Sequence, residues 1–330
     1  MVWKLLAVGA LLLVLNAMGR GAFALFFSIQ AGIYALLALG LNVQWGYTGL
    51  FNVGISSLFA LGAYTSALLT KNPVPSPGAW PGLGLPFVVG LVCAALVAAL
   101  AAALLGSATL RLRGDYLAMV TLGAGEIVRL LLLNESSLTH GAEGLRAIPQ
   151  PLHTWFPARD YNAFYFVVVL ALLALTFWGM ERVLRSPWGR ALRAVRDDEE
   201  AAASLGKNTF VLKFQAFVLG AALMGLAGAL YAHFTTFISP ADFVPLQTFL
   251  VWMMLIAGGS GSNRGAVVGA VLIWGLWVGT SVLGGFFPSQ WAVKFSYLRI
   301  IAVGLTLQWM LLCRPKGILG TITSPSSAKI

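Results

Sequence analysis

Charged residues are scarce in this chain. The 21 Lys and Arg residues and the 11 Asp and Glu residues amount to only 10% of its 330 residues. Soluble globular domains carry about 25% charged residues, so this composition excludes an ordinary soluble domain. Apolar runs of about 20 residues, the length that crosses a bilayer as a helix, recur along the whole sequence. With a mean hydropathy of +0.85, the chain is predicted to be an all-α, polytopic transmembrane helical bundle.

Cysteine and histidine are also rare. The two cysteines, Cys93 and Cys313, both lie inside apolar runs, so the sequence offers neither a disulfide framework nor a C-x-x-C metal or redox pair. The three histidines, His140, His153 and His233, have no second ligand at metal-ligand spacing. We therefore expect no metal site, no cofactor in this chain and no histidine-based hydrolysis.

Hydropathy predicts ten membrane spans within one transmembrane domain over residues 1–330. The segment before residue 19 resembles a signal peptide, but the many later spans favour a first transmembrane helix. The connection at residues 135–160 is predicted to be a long outer loop of irregular structure, because it contains three prolines. The ten predicted spans cover residues 5–19, 22–45, 50–70, 86–105, 116–134, 161–180, 214–234, 245–258, 265–283 and 297–313.

The basic residues orient these spans. With both termini inside, 14 Lys and Arg residues fall on the cytoplasmic side and 5 on the outer side. This asymmetry follows the positive-inside rule. It accounts for the formal net charge of +10 without any nucleic acid partner.

Charge is concentrated in one segment, residues 181–213, which holds 7 of the 21 basic and 5 of the 11 acidic residues. No lipid-facing segment could hold so many charges, so this segment is predicted to be a cytoplasmic loop. Apolar residues recur within it at a spacing of three and four, which predicts an amphipathic helix over residues 190–205 that ends at Gly206. These apolar residues are Ala191, Leu192, Val195, Ala202 and Leu205. A surface helix between two spans is suited to dock a cytosolic partner.

A second unusual segment, residues 21–70, has no charged residue, although two spans and a turn must fit in it. Glycines 46, 49 and 54 loosen its backbone. Irregular backbone at membrane depth occurs where protein or a water-filled cavity satisfies its polar groups, and transporters use such breaks to contact substrate. The segment is therefore a candidate substrate path, while a short polar turn at the cytosolic surface remains the alternative. Its candidate residues are Asn42, Gln44, Tyr47, Thr48, Asn52 and Ser56.

Two further features bear on chemistry. Glu126 and Arg129 are three residues apart in the fifth predicted span, so they can pair across one helical turn. Pairing is the favoured interpretation because a lone charge inside a bilayer is expensive, and a proton or ion site is the alternative.

The glycine-rich stretch at residues 258–265 lacks the Lys-Ser/Thr ending of a phosphate loop, so no nucleotide binding is inferred from it.

Several motifs resemble a known family. The stretch E-A-A-A-S-L-G, which begins at Glu200, resembles the cytoplasmic-loop signature of ABC-importer permeases. The preceding S-P-W-G-R-A-L-R-A-V-R, from Ser186, is narrower and resembles the permease subunits of branched-chain amino acid importers of the LivM type. Further matches extend nearly end to end: A-L-G-L-N-V-Q-W-G-Y-T-G from Ala38, G-A-Y-T-S-A-L-L from Gly62, L-R-L-R-G-D-Y-L-A-M-V-T-L from Leu110, E-I-V-R-L from Glu126, G-G-S-G-S-N-R-G-A-V-V-G-A from Gly258 and R-P-K-G-I-L-G from Arg314.

The resemblance implies one membrane half of an ATP-driven importer in a bacterial or archaeal cytoplasmic (inner) membrane. Its implied partners are a second homologous permease, two cytosolic ATP-binding subunits, an extracytoplasmic solute-binding protein and the surrounding lipid. This chain would then not be an enzyme, because ATP is hydrolysed on the partner subunits. The predicted amphipathic helix would be the coupling helix, with ATPase contacts at Arg190, Arg193, Arg196, Glu200, Ala201, Ala202 and Gly206.

The solute and two other function classes stay open at this point. The sequence departs from the family pattern at residues 50–52 and in the outer loop from His140, so urea, amides or polar amino acids are alternatives to branched-chain or other neutral amino acids. An intramembrane enzyme would need convergent acid, base, metal or nucleophilic groups, and the spans offer little beyond Glu126 and Arg129. A passive channel would not need an amphipathic surface helix with both basic and acidic residues, such as the one predicted within residues 181–213.

Overall fold

The computed structural model of the chain describes residues 22–73, 82–112, 114–153, 157, 160–284, 300–301, 304–305, 308–309, 312 and 317–319. Within these residues every regular element is helical. The one pairing of extended backbone among them is an isolated bridge between Leu145 and Ile238. The all-α class predicted from composition is therefore confirmed for the part of the chain that is described.

Short helical turns occur between some of the α-helices. The first long helix continues into a single π-helical turn, Asn42–Gly46, and short 3-10 turns occur at Gly141–Glu143 and Pro240–Phe243. The α-helices are α1 (Ala22–Leu41), α2 (Ile55–Thr70), α3 (Phe87–Thr109), α4 (Gly114–Asn134), α5 (Ser136–Thr139), α6 (Tyr161–Arg185), α7 (Pro187–Asp197), α8 (Glu199–Ser204), α9 (Thr209–Thr235), α10 (Pro245–Gly258) and α11 (Asn263–Gly284).

Among the described residues, five helices are long and apolar enough to cross a membrane: Phe23–Gly46, Phe87–Thr109, Gly114–Asn134, Tyr161–Arg185 and Thr209–Thr235. The shorter apolar helices Ile55–Thr70 and Pro245–Gly258 also fall on predicted spans, as does α11. The first predicted span, residues 5–19, and most of the last, residues 297–313, lie outside the described residues.

Four predicted span ends differ from the observed helix ends by four or five residues, one of them at α3, which continues to Thr109 instead of ending at residue 105. The third span, predicted from residue 50, begins at Ile55 because the backbone before it is irregular. Helices α6 and α9 extend beyond their predicted spans, to Arg185 and from Thr209. Hydropathy marks the lipid-embedded part of a helix, whereas the helix itself can continue into water with charged residues such as Lys213.

Close backbone contacts hold the helices together, and α9 is the central one. It packs against α1, α2 and α3. A Cβ atom at Gly220 would lie 2.6 Å from the Gly40 carbonyl oxygen of α1, and one at Gly225 would lie 2.5 Å from the Ala94 oxygen of α3. In a membrane, where lipid tails are as apolar as the side chains, such close packing supplies much of the attraction between helices.

The predicted outer loop is partly helical. It contains α5 and a 3-10 turn, so the prediction of a wholly irregular loop over residues 135–160 is wrong. After these turns the loop pairs with the connection between α9 and α10, where the Leu145 amide donates to the Ile238 carbonyl at 2.9 Å and the Ile148 amide donates to the Thr236 carbonyl at 3.1 Å. These bonds fasten the loop over the end of α9.

Candidate functional site

The charge-free segment contains a break in regular α-helix between α1 and α2, at residues 42–54. After the π turn the backbone doubles back, with the Leu50 amide donating to the Gln44 carbonyl at 2.9 Å. Gly49 has a φ of +77°, a left-handed conformation that favours glycine. Single π turns of this kind recur at functional sites, because they interrupt regular helical pairing.

An amide at the start of the break connects α1 to the turn between α10 and α11. The Asn42 side chain donates to Asn263 Oδ1 at 2.9 Å and accepts from the Gly261 amide at 2.8 Å. Asn263 in turn donates to Glu181 Oε2 at 3.2 Å, and Glu181 pairs with Arg185 at 2.5 Å. One chain of hydrogen bonds thus joins the break, the glycine-rich turn and the C-terminal end of α6.

A second set of bonds joins the break to α9 and α10. Gln44 Nε2 donates to the Phe217 carbonyl at 2.8 Å, and Asn52 Nδ2 donates to Gln44 Oε1 at 2.8 Å. Trp252 Nε1 donates to the Asn52 carbonyl at 3.0 Å. Two further bonds complete the set, from Thr48 Oγ1 to the Val43 carbonyl at 3.0 Å and from the Ser56 amide to Thr248 Oγ1 at 3.1 Å.

The six candidate path residues are therefore brought together, and all are buried. Asn42, Gln44 and Asn52 have no exposed surface, and Tyr47, Thr48 and Ser56 are at most 8% exposed. Buried polar groups normally have partners, and here the amides are used in fixing the irregular backbone. A solute could contact them only by replacing these bonds. That they line a substrate path stays a prediction.

The charged segment forms two helices, so the predicted single helix over residues 190–205 is wrong. Helix α7 begins earlier, at Pro187, where the Ser186 hydroxyl caps the Trp188 amide at 3.3 Å. Asp198 then breaks the helix, because its side chain accepts from the Ala201 amide at 2.9 Å and caps α8. The predicted end is confirmed, since Gly206 has a φ of +76°.

The two short helices are amphipathic, as predicted, with one exception. Leu192, Val195 and Ala202 are buried, and Leu192 clusters with Met180 of α6 and Leu223 of α9. Leu192 packs in a small cluster that includes Val43 of the π turn. Leu205 is 81% exposed and belongs to no buried face. Outside this buried side, Arg190, Arg193, Glu200, Ala201 and Gly206 are exposed.

Arg196 connects α7 to the break. Its Nη1 atom donates to the Gly46 carbonyl at 2.6 Å, and its other nitrogens bond Asp197 Oδ1 at 3.0 and 3.2 Å. A Cβ atom at Gly49 would lie 3.2 Å from Arg196 Cγ, so glycine permits this close contact. The two backbones are therefore held together at the point where α1 loses its helical pairing.

Two more contacts surround this junction. The Arg193 guanidinium lies 6.0 Å from the centre of the Tyr47 ring, at the limit of a cation–π contact. Burial raises the pKa of the Tyr47 hydroxyl, and the nearby Glu181 adds to this effect while Arg193 opposes it, so the hydroxyl is neutral near pH 7. Lys213 pairs with Glu199 at 2.6 Å and ties α8 to α9.

Glu126 and Arg129 form an ion pair on α4. Arg129 Nε donates to both carboxylate oxygens at 3.0 and 2.9 Å, and Nη2 donates to Oε1 at 2.5 Å. The Glu126 side chain is 39% exposed and the Arg129 side chain is 21% exposed. The pairing predicted from the three-residue spacing is present, but the pair is not enclosed by the rest of this chain.

Sequence reasoning did not identify the role of His233. This residue of α9 has no exposed surface, and its Nδ1 atom lies 2.7 Å from the Pro149 carbonyl oxygen. Because that oxygen can only accept, Nδ1 carries the proton, and the Ser66 hydroxyl donates to Nε2 at 2.9 Å. The imidazole therefore ties α9 to α2 and to the loop at residues 135–160. No local sequence pattern indicates this role, because the partners are 84 and 167 residues away.

Together these features define a class of protein. The described spans, the buried helix break and the charged helices between α6 and α9 are those of a multi-pass membrane protein. Residues 23–304 match the family model described as branched-chain amino acid transport system / permease component. The chain belongs to this family.

Individual relatives agree. The chain is 37% identical to the high-affinity branched-chain amino acid transport system permease protein LivM of Salmonella typhimurium, over 87% of this chain and 68% of the relative. Identity to the Escherichia coli LivM protein is 36% over the same shares. The nucleoside ABC transporter permease protein NupC of Lactococcus lactis is 26% identical over 78% of this chain and 82% of its own length. No solved structure matches the chain.

Proposed function

We propose that this chain is one membrane half of an ATP-driven importer for branched-chain or other neutral amino acids. The observation that carries the proposal is the contact between α7 and the break, in which Arg196 Nη1 lies 2.6 Å from the Gly46 carbonyl oxygen. A channel would not need an exposed, charged helix fixed to a helix break. An importer driven by a cytosolic ATPase does, because movement of the ATPase must be converted into movement of the membrane helices.

The coupling segment is α7 and α8. Their exposed side would contact the ATP-binding subunits through Arg190, Arg193, Glu200, Ala201 and Gly206. Force on α7 would reach the break through Arg196 and through Leu192, and would pass on to the turn before α11 through the Asn42 amide. Each step is a contact between packed groups, which is the physical requirement for transmitting a conformational change.

The complete importer would contain a second homologous permease, two cytosolic ATP-binding subunits and an extracytoplasmic solute-binding protein. ATP would be hydrolysed on the cytosolic subunits, with no cofactor in this chain. The permease would have ten spans in a bacterial or archaeal cytoplasmic membrane, with both termini inside. The positive-inside asymmetry supports this topology, since it places residues 181–213 in the cytoplasm.

The proposed solute class follows the relatives. The two LivM proteins carry branched-chain amino acid transport in their names, and they are more similar to this chain than the nucleoside permease is. Family membership alone therefore does not fix the solute. A screen of amino acids, nucleosides and urea against the cognate solute-binding protein would identify it, and leucine, isoleucine or valine is expected to give the largest stabilisation. Selective stabilisation by a nucleoside would overturn the amino acid assignment.

Co-purification tests the transport class. The tagged chain, extracted in mild detergent from cells that express all the proposed subunits, should retain two ATP-binding subunits and one further permease. Charge reversal of Arg193 and Arg196 together should release the ATP-binding subunits while the second permease stays bound. Reversal of Arg182, which lies outside α7 and contacts Trp178, is the matched control. A chain that never retains an ATP-binding subunit would point to a passive channel.

A further inference from the structure

Glu126 and Arg129 occupy an unusual position for charged residues. They lie near and beyond the middle of the 21-residue helix α4, which is long and apolar enough to span a membrane. The other Asp, Glu, Lys and Arg residues in the five described spans lie within about one turn of a helix end: Asp115, Glu181, Arg182, Arg185 and Lys213. Charges at such depth face a bundle interior or a water-filled cavity, because lipid solvates them poorly.

The pair does not lie in the interior of this chain. Helix α4 is the least buried of the five spans. In its most apolar 18-residue stretch 17% is buried within the protein, whereas the corresponding values for the other four spans are 28–78%. Within the described residues, no hydrogen bond engages Nη1 of Arg129, although Nε and Nη2 both bond Glu126. Water or a polar ligand is therefore needed beside the pair.

The pair adjoins the break. A Cβ atom at Gly125, the residue before Glu126, would lie 3.5 Å from Gly54 Cα and from Ser57 Oγ at the start of α2. One turn earlier, the Thr121 hydroxyl accepts from the Val53 amide at 3.0 Å. The polar side chains of the break are themselves buried and bonded to one another, so the partly exposed ion pair is the charged feature in the middle part of the adjoining helix.

We propose that Glu126 and Arg129 form a hydrated binding site for the zwitterionic head of an amino acid. This inference rests on the proposed function and names the groups that would contact its solute. The Glu126 carboxylate would take the ammonium group and the Arg129 guanidinium would take the carboxylate. The pair carries one negative and one positive charge, as the zwitterion does. Each protein charge therefore keeps an opposite charge beside it when the solute replaces the bonds between Glu126 and Arg129.

The ion pair also explains how such a site could release its solute. A fixed, unpaired charge would bind an oppositely charged group tightly, and a solute held tightly cannot leave a translocation route. Here the solute must compete with the existing bonds between Arg129 and Glu126. When it departs the pair forms again, so binding stays weak and reversible.

Thiol accessibility in the complete importer tests this proposal without breaking the pair. Leu122 is four residues before Glu126, on the same side of α4, whereas Leu131 projects from the opposite side, and both are exposed in this chain. Leu122→Cys and Leu131→Cys would be made with Cys93 and Cys313 replaced by alanine. After wild-type ATP-dependent leucine uptake is established in proteoliposomes, each variant is treated with a membrane-impermeant, hydrophilic thiol reagent present on both sides, with and without leucine.

The proposal predicts at least about tenfold faster labelling of Leu122→Cys than of Leu131→Cys, and at least about threefold slowing of that labelling by leucine. It also predicts that Glu126→Gln and Arg129→Gln each reduce leucine uptake at least about tenfold in assembled complexes. Equal, slow labelling at both positions would overturn it. Fast labelling without protection by leucine, together with normal uptake by both glutamine variants, would also overturn it. Absence of uptake by the wild type would contradict the proposed function itself.

Discussion

Replacement of Arg196 by alanine tests the proposed transmission from α7 to the break. The substitution removes the bond from Nη1 to the Gly46 carbonyl, whose donor–acceptor distance is 2.6 Å. Hydrogen bonds that involve a charged group contribute about 1.5–3 kcal/mol net, and the Arg196 side chain is 25% exposed, so a value near the lower end applies. About 1.5 kcal/mol corresponds to roughly a tenfold shift in the equilibrium between engaged and disengaged α7.

The consequence is uncoupling without misfolding. In Arg196→Ala, ATP hydrolysis by the complex should continue near the wild-type rate, while the number of solute molecules imported per ATP falls by at most about tenfold. Arg196→Lys keeps the charge but not the planar fork, so it should be intermediate. Arg182→Ala, a basic residue outside the junction, should keep the wild-type ratio. If Arg196→Ala imports as much solute per ATP as the wild type, the contact with Gly46 does not transmit the movement.

Three further predictions concern stability. His233→Ala removes an imidazole that bonds Pro149 and Ser66, and should lower the free energy of unfolding by about 2 kcal/mol. The loss is measured as a lower melting temperature in detergent. An unchanged melting temperature would show that the loop at residues 135–160 is held by its backbone bonds alone. Gly62→Ala should lower the free energy of unfolding by about 1–3 kcal/mol, because its Cβ would overlap the Gly225 backbone. Gly279→Ala, whose Cβ meets no described atom within 4 Å, should leave stability unchanged. Equal melting temperatures for the two variants would contradict the packing argument. Neutralising Glu126 or Arg129 singly should reduce stability more than neutralising both, and additive losses would show that the pair contributes nothing as a pair.

Helix positions could be predicted from sequence where hydropathy and end signals agree. Helix α10 has its predicted bounds, Pro245–Gly258, because a proline at its first turn and glycines after its last apolar residue mark both ends. The close approach of α10 and α11 was also predictable from the small residues at 265 and 269, and a side chain at Gly269 would overlap the Met254 carbonyl. Gly279 of the same helix has no described atom within 4 Å of its Cβ position, so a glycine four residues from another glycine does not by itself indicate a close helix contact.

Other features could not be predicted because competing local and long-range interactions decide them. Apolar periodicity continues through Asp198, so it gives no sign that this side chain ends one helix by capping the next. The bond between Asn42 and Asn263 joins residues 221 positions apart, and its geometry follows only from the packed helices. The sequence therefore identified which polar residues occupy the break, but not that they bond to one another.

The most direct measurement of the central claim is leucine uptake into proteoliposomes that contain the whole complex. The solute-binding protein is supplied on one side and ATP on the other, and accumulation of labelled leucine is followed over time. The account predicts accumulation above the external concentration that requires ATP and the binding protein together, and that is lost with a non-hydrolysable ATP analogue. Equilibration of leucine down its gradient without ATP would contradict it.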